Sequence, residues 1–228
     1  LLIRNARILT LAPSTGSGQA AHERPRRGKF LADLGVIPAG EVLITGGKIA
    51  AVGSKVEAPA DAEIIEAQGR VLMPGFVDCH SHACWAGDRL VEWEQRLRGV
   101  PYLEILKAGG GIHSTVRAVR AATKKQLAAH LKERLAAMIR EGTTTVEIKS
   151  GYGLQTEEEL KMLRAIVRAG NEWPGSIVPT ALLGHAFEDN LEDYARMVVK
   201  EMLPAVAKEF PGITVDAFCE DGAWTLEA

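Results

Sequence analysis

Hydrophobic residues in the first seventy positions are gathered into short runs that polar turns separate. The runs cover residues 1–11, 41–53 and 64–72. The second run is split by Thr45-Gly46-Gly47, a sequence typical of a β-hairpin turn. This pattern predicts a small, antiparallel, β-sandwich-like unit over residues 1–70. Residues 12–40, which are rich in Ser, Gly and Ala and carry a basic cluster, predict a surface insertion within that unit.

From residue 71 onward, strand-like apolar runs alternate with segments of helical periodicity. Thr123 to Gln126 and Thr156 to Glu159 each match a capping box and begin a predicted helix. A third helix is expected from Asn190, with Pro204 kinking or ending it. The apolar runs cover residues 73–78, 143–148, 177–183 and 213–219. Because parallel strands need crossover connections, this alternation predicts βαβ units and a parallel sheet.

Composition and charge exclude several classes of function. The chain has 228 residues, of which 46% are hydrophobic, and its formal net charge is -2. This balance gives polyanions no electrostatic attraction, so no nucleic-acid partner is expected. No apolar run approaches the roughly 20 residues of a membrane helix, so no membrane association is expected. The 3 cysteines are too few for a disulfide framework and favour a reducing, cytoplasmic location.

The segment most informative about chemistry is Pro74-Gly-Phe-Val-Asp-Cys-His-Ser-His82. Side chains alternate along a strand, so His80 and His82 point to the same side, with Cα atoms roughly 6.5 Å apart. Both imidazoles can then converge on one metal ion, whereas Cys79 points to the opposite side. A bare His-x-His pair is a weak signal. Its place at the end of an apolar strand, after Gly75 and Asp78, favours a metal site.

Polar residues also follow the other predicted strands. They are Lys149, Tyr152, His185 and Glu220. In parallel α/β architectures the carboxyl ends of the strands line the ligand site, so these residues and the histidine pair are candidates for one cavity. Taken singly, Tyr152 could be a turn residue, His185 a core histidine and Glu220 a solvent-facing cap. Lys149 is expected to form a structural ion pair.

Several longer motifs extend from the histidine pair to the last predicted strand. They are Trp85-Ala-Gly-Asp-Arg89, Pro101-Tyr-Leu-Glu-Ile105, Ala108-Gly-Gly-Gly-Ile112, Thr144-Thr-Val-Glu-Ile-Lys-Ser-Gly-Tyr-Gly-Leu154, Glu159-Leu-Lys-Met-Leu-Arg164 and Phe218-Cys-Glu220. The segment 74–82 is similar to the first-strand signature of the amidohydrolase superfamily. Within that superfamily, the whole set of motifs resembles the imidazolonepropionase family from about Leu72 to Glu220, which is far more specific than any single motif.

The resemblance implies a metal-dependent hydrolase of histidine degradation, which opens the cyclic amide of 4-imidazolone-5-propanoate with water to give N-formimidoyl-L-glutamate. Carried over by position, His80 and His82 bind one metal ion, zinc or iron, and Arg89, Tyr152 and His185 contact this small-molecule substrate. A guanidinium such as that of Arg89 suits the propanoate carboxylate, since two parallel hydrogen bonds can form. The general base and the other metal ligands are expected beyond residue 228. The resemblance also allows a homodimer.

The fold implied by the resemblance is an α/β one. Residues 71–228 are expected to form the N-terminal part of a (β/α)8 TIM-type barrel, with about four of its eight strands, preceded by the β-rich unit. A complete barrel takes about 250 residues. The chain is therefore expected to be a portion of a longer enzyme, in agreement with its lack of an initial methionine. Two alternatives stay open: another cyclic-amide hydrolase or aminohydrolase on the same scaffold, and an inactive truncated remnant.

Overall fold

The computed structural model describes residues 1–11, 27–220 and 224–225, apart from the side chain of Phe30. The predicted insertion therefore lies largely outside the described residues. The chain divides into two compact units, Leu1–Pro74 and Gly75–Ala228. No helix in the described ranges combines the length and the apolar character needed to cross a bilayer.

The first unit contains a five-stranded sheet. Its strands are β1 (Leu2–Leu9), β2 (Val36–Thr45), β3 (Lys48–Gly53), β4 (Ile64–Glu66) and β5 (Val71–Leu72). The sheet order is β3-β2-β1-β4, and β5 also pairs with β1. The predicted hairpin between β2 and β3 is confirmed, with its turn at Gly46 and Gly47. Ala6, Ile8 and Val42 form the small buried core of the unit.

The sheet differs from the sequence prediction in two respects. It is mixed rather than wholly antiparallel, because β4 and β5 each run parallel to β1. The described strands of this unit also belong to a single hydrogen-bonded sheet. In addition, β2 begins at Val36, so the end of the predicted insertion at residue 40 is wrong. The Ser-, Gly- and Ala-rich composition predicted an insertion up to residue 40, but residues 36–40 pair with β1 in the antiparallel sense.

The second unit contains a four-stranded parallel sheet in the order β6-β7-β8-β9. Its strands are β6 (Phe76–Asp78), β7 (Thr143–Lys149), β8 (Ser176–Gly184) and β9 (Thr214–Ala217). Its helices are α1 (Leu90–Leu97), α2 (Tyr102–Lys107), α3 (Ile112–Ala121), α4 (Lys124–Arg140), α5 (Thr156–Asn171), α6 (Leu191–Met197) and α7 (Leu203–Glu209). Strands and helices alternate as predicted, and the result is the first half of a (β/α)8 barrel.

The core of this unit lies between the sheet and the apolar stripes of its helices. The stripe of α4 places Leu127, Leu131 and Leu135 in full burial, as its helical spacing predicts. Val146 and Ile148 of β7 are equally buried in the same cluster. Each fully buried aliphatic side chain of this kind stabilises the fold by about 1.5–3 kcal/mol, so this packing holds the strand ends in place.

Pro204 does not end the third predicted helix. Helices α6 and α7 are joined by a π-helical turn, Val198–Met202, and the helix continues to Glu209. A proline lacks the N–H that an α-helix interior needs, and its ring crowds the preceding turn. The widened turn immediately before Leu203 accommodates this change in hydrogen bonding. The predicted cap at Asn190 is confirmed, since its side chain accepts a hydrogen bond from the Asp193 amide.

Candidate functional site

His80 and His82 lie directly after β6, in an extended segment at the carboxyl end of the sheet. The strand itself ends at Asp78, so His80 and His82 lie two and four residues beyond the strand that the alternation argument assumed. The two imidazole rings nevertheless face each other, with centroids 5.4 Å apart. The Asp78 carboxylate accepts a hydrogen bond from the His80 amide over 3.2 Å. Cys79 is exposed and its thiol is free.

The ring of His82 is chemically unusual. Its Nδ1 atom is buried and has no hydrogen-bond partner within the described part of the chain. Burial, followed by the nearby His185, His80 and Lys149, lowers the pKa of His82 to about 4. The imidazole is therefore neutral at physiological pH, which is the form that binds a metal ion. A buried imidazole nitrogen without a partner fits a metal ligand.

Tyr152 and His185 come to the same place from the next two strands. The His185 ring stacks on that of His82 with centroids 4.9 Å apart, and the Tyr152 ring lies 5.0 Å from His185. Burial raises the pKa of Tyr152, so its hydroxyl keeps its proton and can donate a hydrogen bond. Burial also lowers the pKa of His185. Three loops thus contribute four rings to one cluster.

Arg89 lies immediately before α1, and a threonine fixes its guanidinium. Its Nε and Nη2 atoms both donate to Thr115 Oγ1, at 2.9 and 2.7 Å. The cleft beside them is lined by His82, Trp85, Arg89, Thr115 and Tyr152, among other residues. Because a guanidinium has five N–H donors, Thr115 leaves part of the fork for an anion in the cleft.

Helices α1, α2 and α3 were not predicted from the sequence. Residues 109–111 form a turn, and α3 begins directly after Gly111, whose φ of 63 lies in the left-handed region. Thr115, on α3, was consequently missed as a partner of Arg89. The sequence could not predict this contact, because 26 residues separate Arg89 and Thr115 along the chain.

The turn that carries Tyr152 is fastened by Glu159. The sequence predicted that this glutamate closes a capping box with Thr156, and that prediction is wrong. Helix α5 has Gln155 at its N-cap without a side-chain cap, and Glu159 bonds the preceding turn instead. The side chain is fully buried. Burial raises the pKa of Glu159, although hydrogen bonds from backbone amides oppose the shift.

Lys149 belongs to an ion network beneath the cluster. Its Nζ lies 2.6 Å from Glu147 Oε1 and 2.7 Å from Asp216 Oδ2, so β7 and β9 are linked by charge. The Lys149 side chain is only 5% exposed, and the predicted structural ion pair is confirmed. Glu220, the remaining strand-end candidate, is exposed after β9.

His80 and His82 are the two histidines that a metal ion could share at this site. Within residues 1–11, 27–220 and 224–225, no three His, Cys, Asp or Glu side chains form a group that could hold a metal ion. A catalytic zinc ion needs about three protein ligands and a water. His80 and His82 therefore fit as part of a ligand set.

Sequence comparison finds curated proteins that are similar to the chain. No protein-family model matches the chain. It is 46% identical over 217 residues to an imidazolonepropionase of Herpetosiphon aurantiacus, which covers 90% of the chain and 51% of the relative. The chain belongs to the imidazolonepropionase family. Another family member, from Hahella chejuensis, is 42% identical over 98% of the chain and 53% of its own length. The chain thus spans about half the length of the curated imidazolonepropionases that it matches.

Solved structures agree with the fold. An atrazine chlorohydrolase from Arthrobacter aurescens, in complex with zinc, has a TM-score of 0.55 at 14% identity and covers 99% of the chain and 48% of its own. A 5-methylcytosine deaminase from Klebsiella pneumoniae has a TM-score of 0.52 at 16% identity, over 96% and 51% of the two chains. At such identities the likeness concerns the fold alone.

Proposed function

We propose that the full-length protein containing this chain is a metal-dependent hydrolase of histidine degradation. Its substrate is 4-imidazolone-5-propanoate, and its product is N-formimidoyl-L-glutamate. The observation that carries the proposal is the convergence of His80, His82, Tyr152 and His185 at the ends of three strands, in a chain of the imidazolonepropionase family. Arg89 beside the same cleft supplies a cation for the substrate's propanoate.

We assign the metal to His80 and His82, together with ligands outside the described residues. The neutral, partnerless Nδ1 of His82 supports this assignment. When bound, a zinc or iron ion supplies an activated water and polarises a carbonyl oxygen. Two imidazoles suit either metal, so the choice between zinc and iron is a matter for metal analysis.

The remaining side chains have distinct roles in this proposal. Arg89 binds the propanoate through the N–H donors that Thr115 does not use, which orients the ring in the cleft. The protonated hydroxyl of Tyr152 donates a hydrogen bond to a polar atom of the ring. His185 donates Nδ1–H to the Gly151 carbonyl over 2.8 Å, which leaves Nε2 facing away from that turn. Nε2 can then exchange a proton with a ring nitrogen of the substrate.

The test is turnover by the purified full-length protein, measured as disappearance of 4-imidazolone-5-propanoate and appearance of N-formimidoyl-L-glutamate. Dihydroorotate, hydantoin and guanine are the control substrates, because they test other cyclic-amide and aminohydrolase activities. Hydrolysis of the imidazolone alone is expected. Preferred hydrolysis of a control by metal-loaded protein would assign the site to another reaction. A homodimer and a cytoplasmic location stay predictions.

A further inference from the structure

Glu159 makes three hydrogen bonds to the turn that precedes its own helix. Its Oε2 accepts the Gly151 amide at 2.8 Å, and its Oε1 accepts those of Gly153 and Leu154 at 2.7 and 2.9 Å. The side chain has no exposed surface. A carboxylate buried at this depth is stable only when its oxygens are satisfied, so the turn and Glu159 depend on each other.

The turn ends on a residue in a conformation that its type does not favour. Leu154, which is not a glycine, has a φ of 53, whereas the φ of 105 at Gly151 is one that glycine adopts readily. A Cβ on Gly153 would lie 2.6 Å from the Glu159 amide nitrogen, so the turn is packed against the first turn of α5. Conformations of this kind persist only when surrounding contacts impose them. The Glu159 carboxylate makes three such contacts.

The same turn controls two rings of the site. Tyr152 lies between Gly151 and Gly153, whose amides both donate hydrogen bonds to Glu159. The Gly151 carbonyl accepts the Nδ1–H of His185, which selects the ring tautomer with Nε2 unprotonated. Glu159 therefore binds the residues on both sides of Tyr152, and it binds the residue whose carbonyl accepts the hydrogen bond from His185.

Helix capping does not explain this arrangement. A capping glutamate would bond the amide of its own N-cap residue, but both Glu159 oxygens are used by residues 151–154, outside α5. We propose that Glu159 is a positioning residue, which fixes the 151–154 turn so that Tyr152 and the Nε2 of His185 face the substrate. This inference rests on the proposed function only in taking these two rings as substrate contacts.

The test uses Glu159→Gln in the full-length, metal-loaded protein. The amide keeps the length of the side chain but turns one acceptor into a donor that opposes a backbone N–H. We expect kcat/KM to fall by about 10²-fold, the scale of a small misplacement of catalytic groups, with unchanged metal content. Glu157→Gln is the matched control, because that carboxylate lies on the same helical turn but is 78% exposed. Its kcat/KM should equal that of the wild type.

Combination with Tyr152→Phe separates positioning from general destabilisation. If Glu159 acts through Tyr152, the loss in the double variant is smaller than the product of the two single losses. A loss in the double variant that equals the product of the two single losses, at full metal content, would overturn the inference. Wild-type activity in Glu159→Gln would overturn it as well. If that variant does not fold, Glu159→Asp is measured in its place, because it keeps the charge and withdraws both oxygens from the turn.

Hydrogen exchange supplies a readout that needs no substrate. The amides of 151, 153 and 154 should exchange about tenfold faster or more in Glu159→Gln than in the wild type or in Glu157→Gln. Unchanged exchange would contradict the positioning role even in an inactive enzyme. Conversely, faster exchange in a protein that does not hydrolyse the imidazolone would reject the proposed function and keep the role of Glu159.

Discussion

Thr115 decides how the guanidinium of Arg89 is presented to the cleft. Both observed hydrogen bonds of the guanidinium end on one hydroxyl oxygen. We expect Thr115→Val, which keeps the shape and removes the acceptor, to raise KM for the imidazolone about tenfold with a smaller change in kcat, because the guanidinium loses the one acceptor oxygen that both of its hydrogen bonds share. Thr115→Ser keeps the hydroxyl and should stay near the wild-type KM. Equal effects of the two substitutions in steady-state kinetics would exclude this role.

Removal of one imidazole tests the metal assignment. His82→Ala and His80→Ala should each lower the metal content of the full-length protein and abolish turnover, because one ligand of an already small set is lost. His130→Ala, on α4 and away from the cluster, is the control and should bind metal normally. Elemental analysis after dialysis measures the metal. Full occupancy in the His80 variant would make the assignment wrong.

The candidate residues could be predicted only in part from the sequence. The spacing of His80 and His82 is local, so the sequence was sufficient to pair them, although both lie beyond the end of β6 and strand alternation does not explain how their rings meet. Tyr152 and His185 each follow the carboxyl end of a strand, and in a parallel sheet these ends lie at the same edge. Glu159 looked like half of a capping box, since the sequence pattern is the same whether its carboxylate turns toward its own helix or toward the 151–154 turn.

At the scale of single elements, the two threonines at helix starts give a direct comparison. Thr123 closes a complete capping box with Gln126, whereas α5 has no side-chain cap. We expect Thr123→Ala to lower the free energy of unfolding by about 1 kcal/mol. Thr156→Ala should have almost no effect, although the local sequence pattern is the same. Urea denaturation of the two variants measures the difference, and equal losses would contradict the capping assignments.

The ion network formed by Lys149, Glu147 and Asp216 stabilises the sheet at β7 and β9. Lys149→Met would leave Glu147, with a side chain 13% exposed, without its counterion. We expect a loss of about 3 kcal/mol in the free energy of unfolding, because Asp216 is better solvated and contributes less. Lys132→Met removes a surface pair whose side chains are 45% and 48% exposed and should cost about 1 kcal/mol or less. Urea titrations at pH 7 compare the two.

The network also has a defined pH dependence. Burial opposes ionisation of Glu147, but hydrogen bonds from Lys149 and the Ser81 amide hold its pKa below the usual range. The Lys149 hydrogen bond also lowers the pKa of Asp216. Such carboxylates stabilise the fold above their unfolded pKa of about 4, and the contribution is lost as the pH falls through the folded pKa. Acid unfolding of metal-free Lys149→Met should therefore begin at a higher pH than in the wild type and in Lys132→Met.

Element boundaries followed local signals where those signals were undisturbed. Strands β7 and β8 and helix α4 were predicted closely because their periodicity reports burial directly. Helices α1 and α2 were missed because their apolar residues are largely exposed, so no buried stripe marks them. Leu90, Val91 and Leu97 are all about 70% exposed in α1. The continuation past Pro204 depends on a π-helical turn that no residue type signals.

At the scale of the whole molecule, the parallel sheet has exposed apolar residues on its outer strands. Val77 of β6 is 65% exposed and Val215 of β9 is 50% exposed. Strands of parallel sheets are normally covered on both faces, so this surface promotes association. We expect the 228-residue chain, expressed alone, to form soluble aggregates at micromolar concentration. Size-exclusion chromatography with light scattering tests this, with a chain of the relatives' full length as the monodisperse control.

The order of the sheet makes β6 and β9 its two outermost strands. In a closed barrel the first strand pairs with the last, and the fourth with the fifth. The edges of β6 and β9 are therefore the two places where such a barrel could be divided into two polypeptides that reassemble. Under the proposed function, a second polypeptide that supplies the other strands would dock on both edges and complete the proposed ligand set. Two proteins fused to the two pieces would then report their proximity as hydrolysis of the imidazolone.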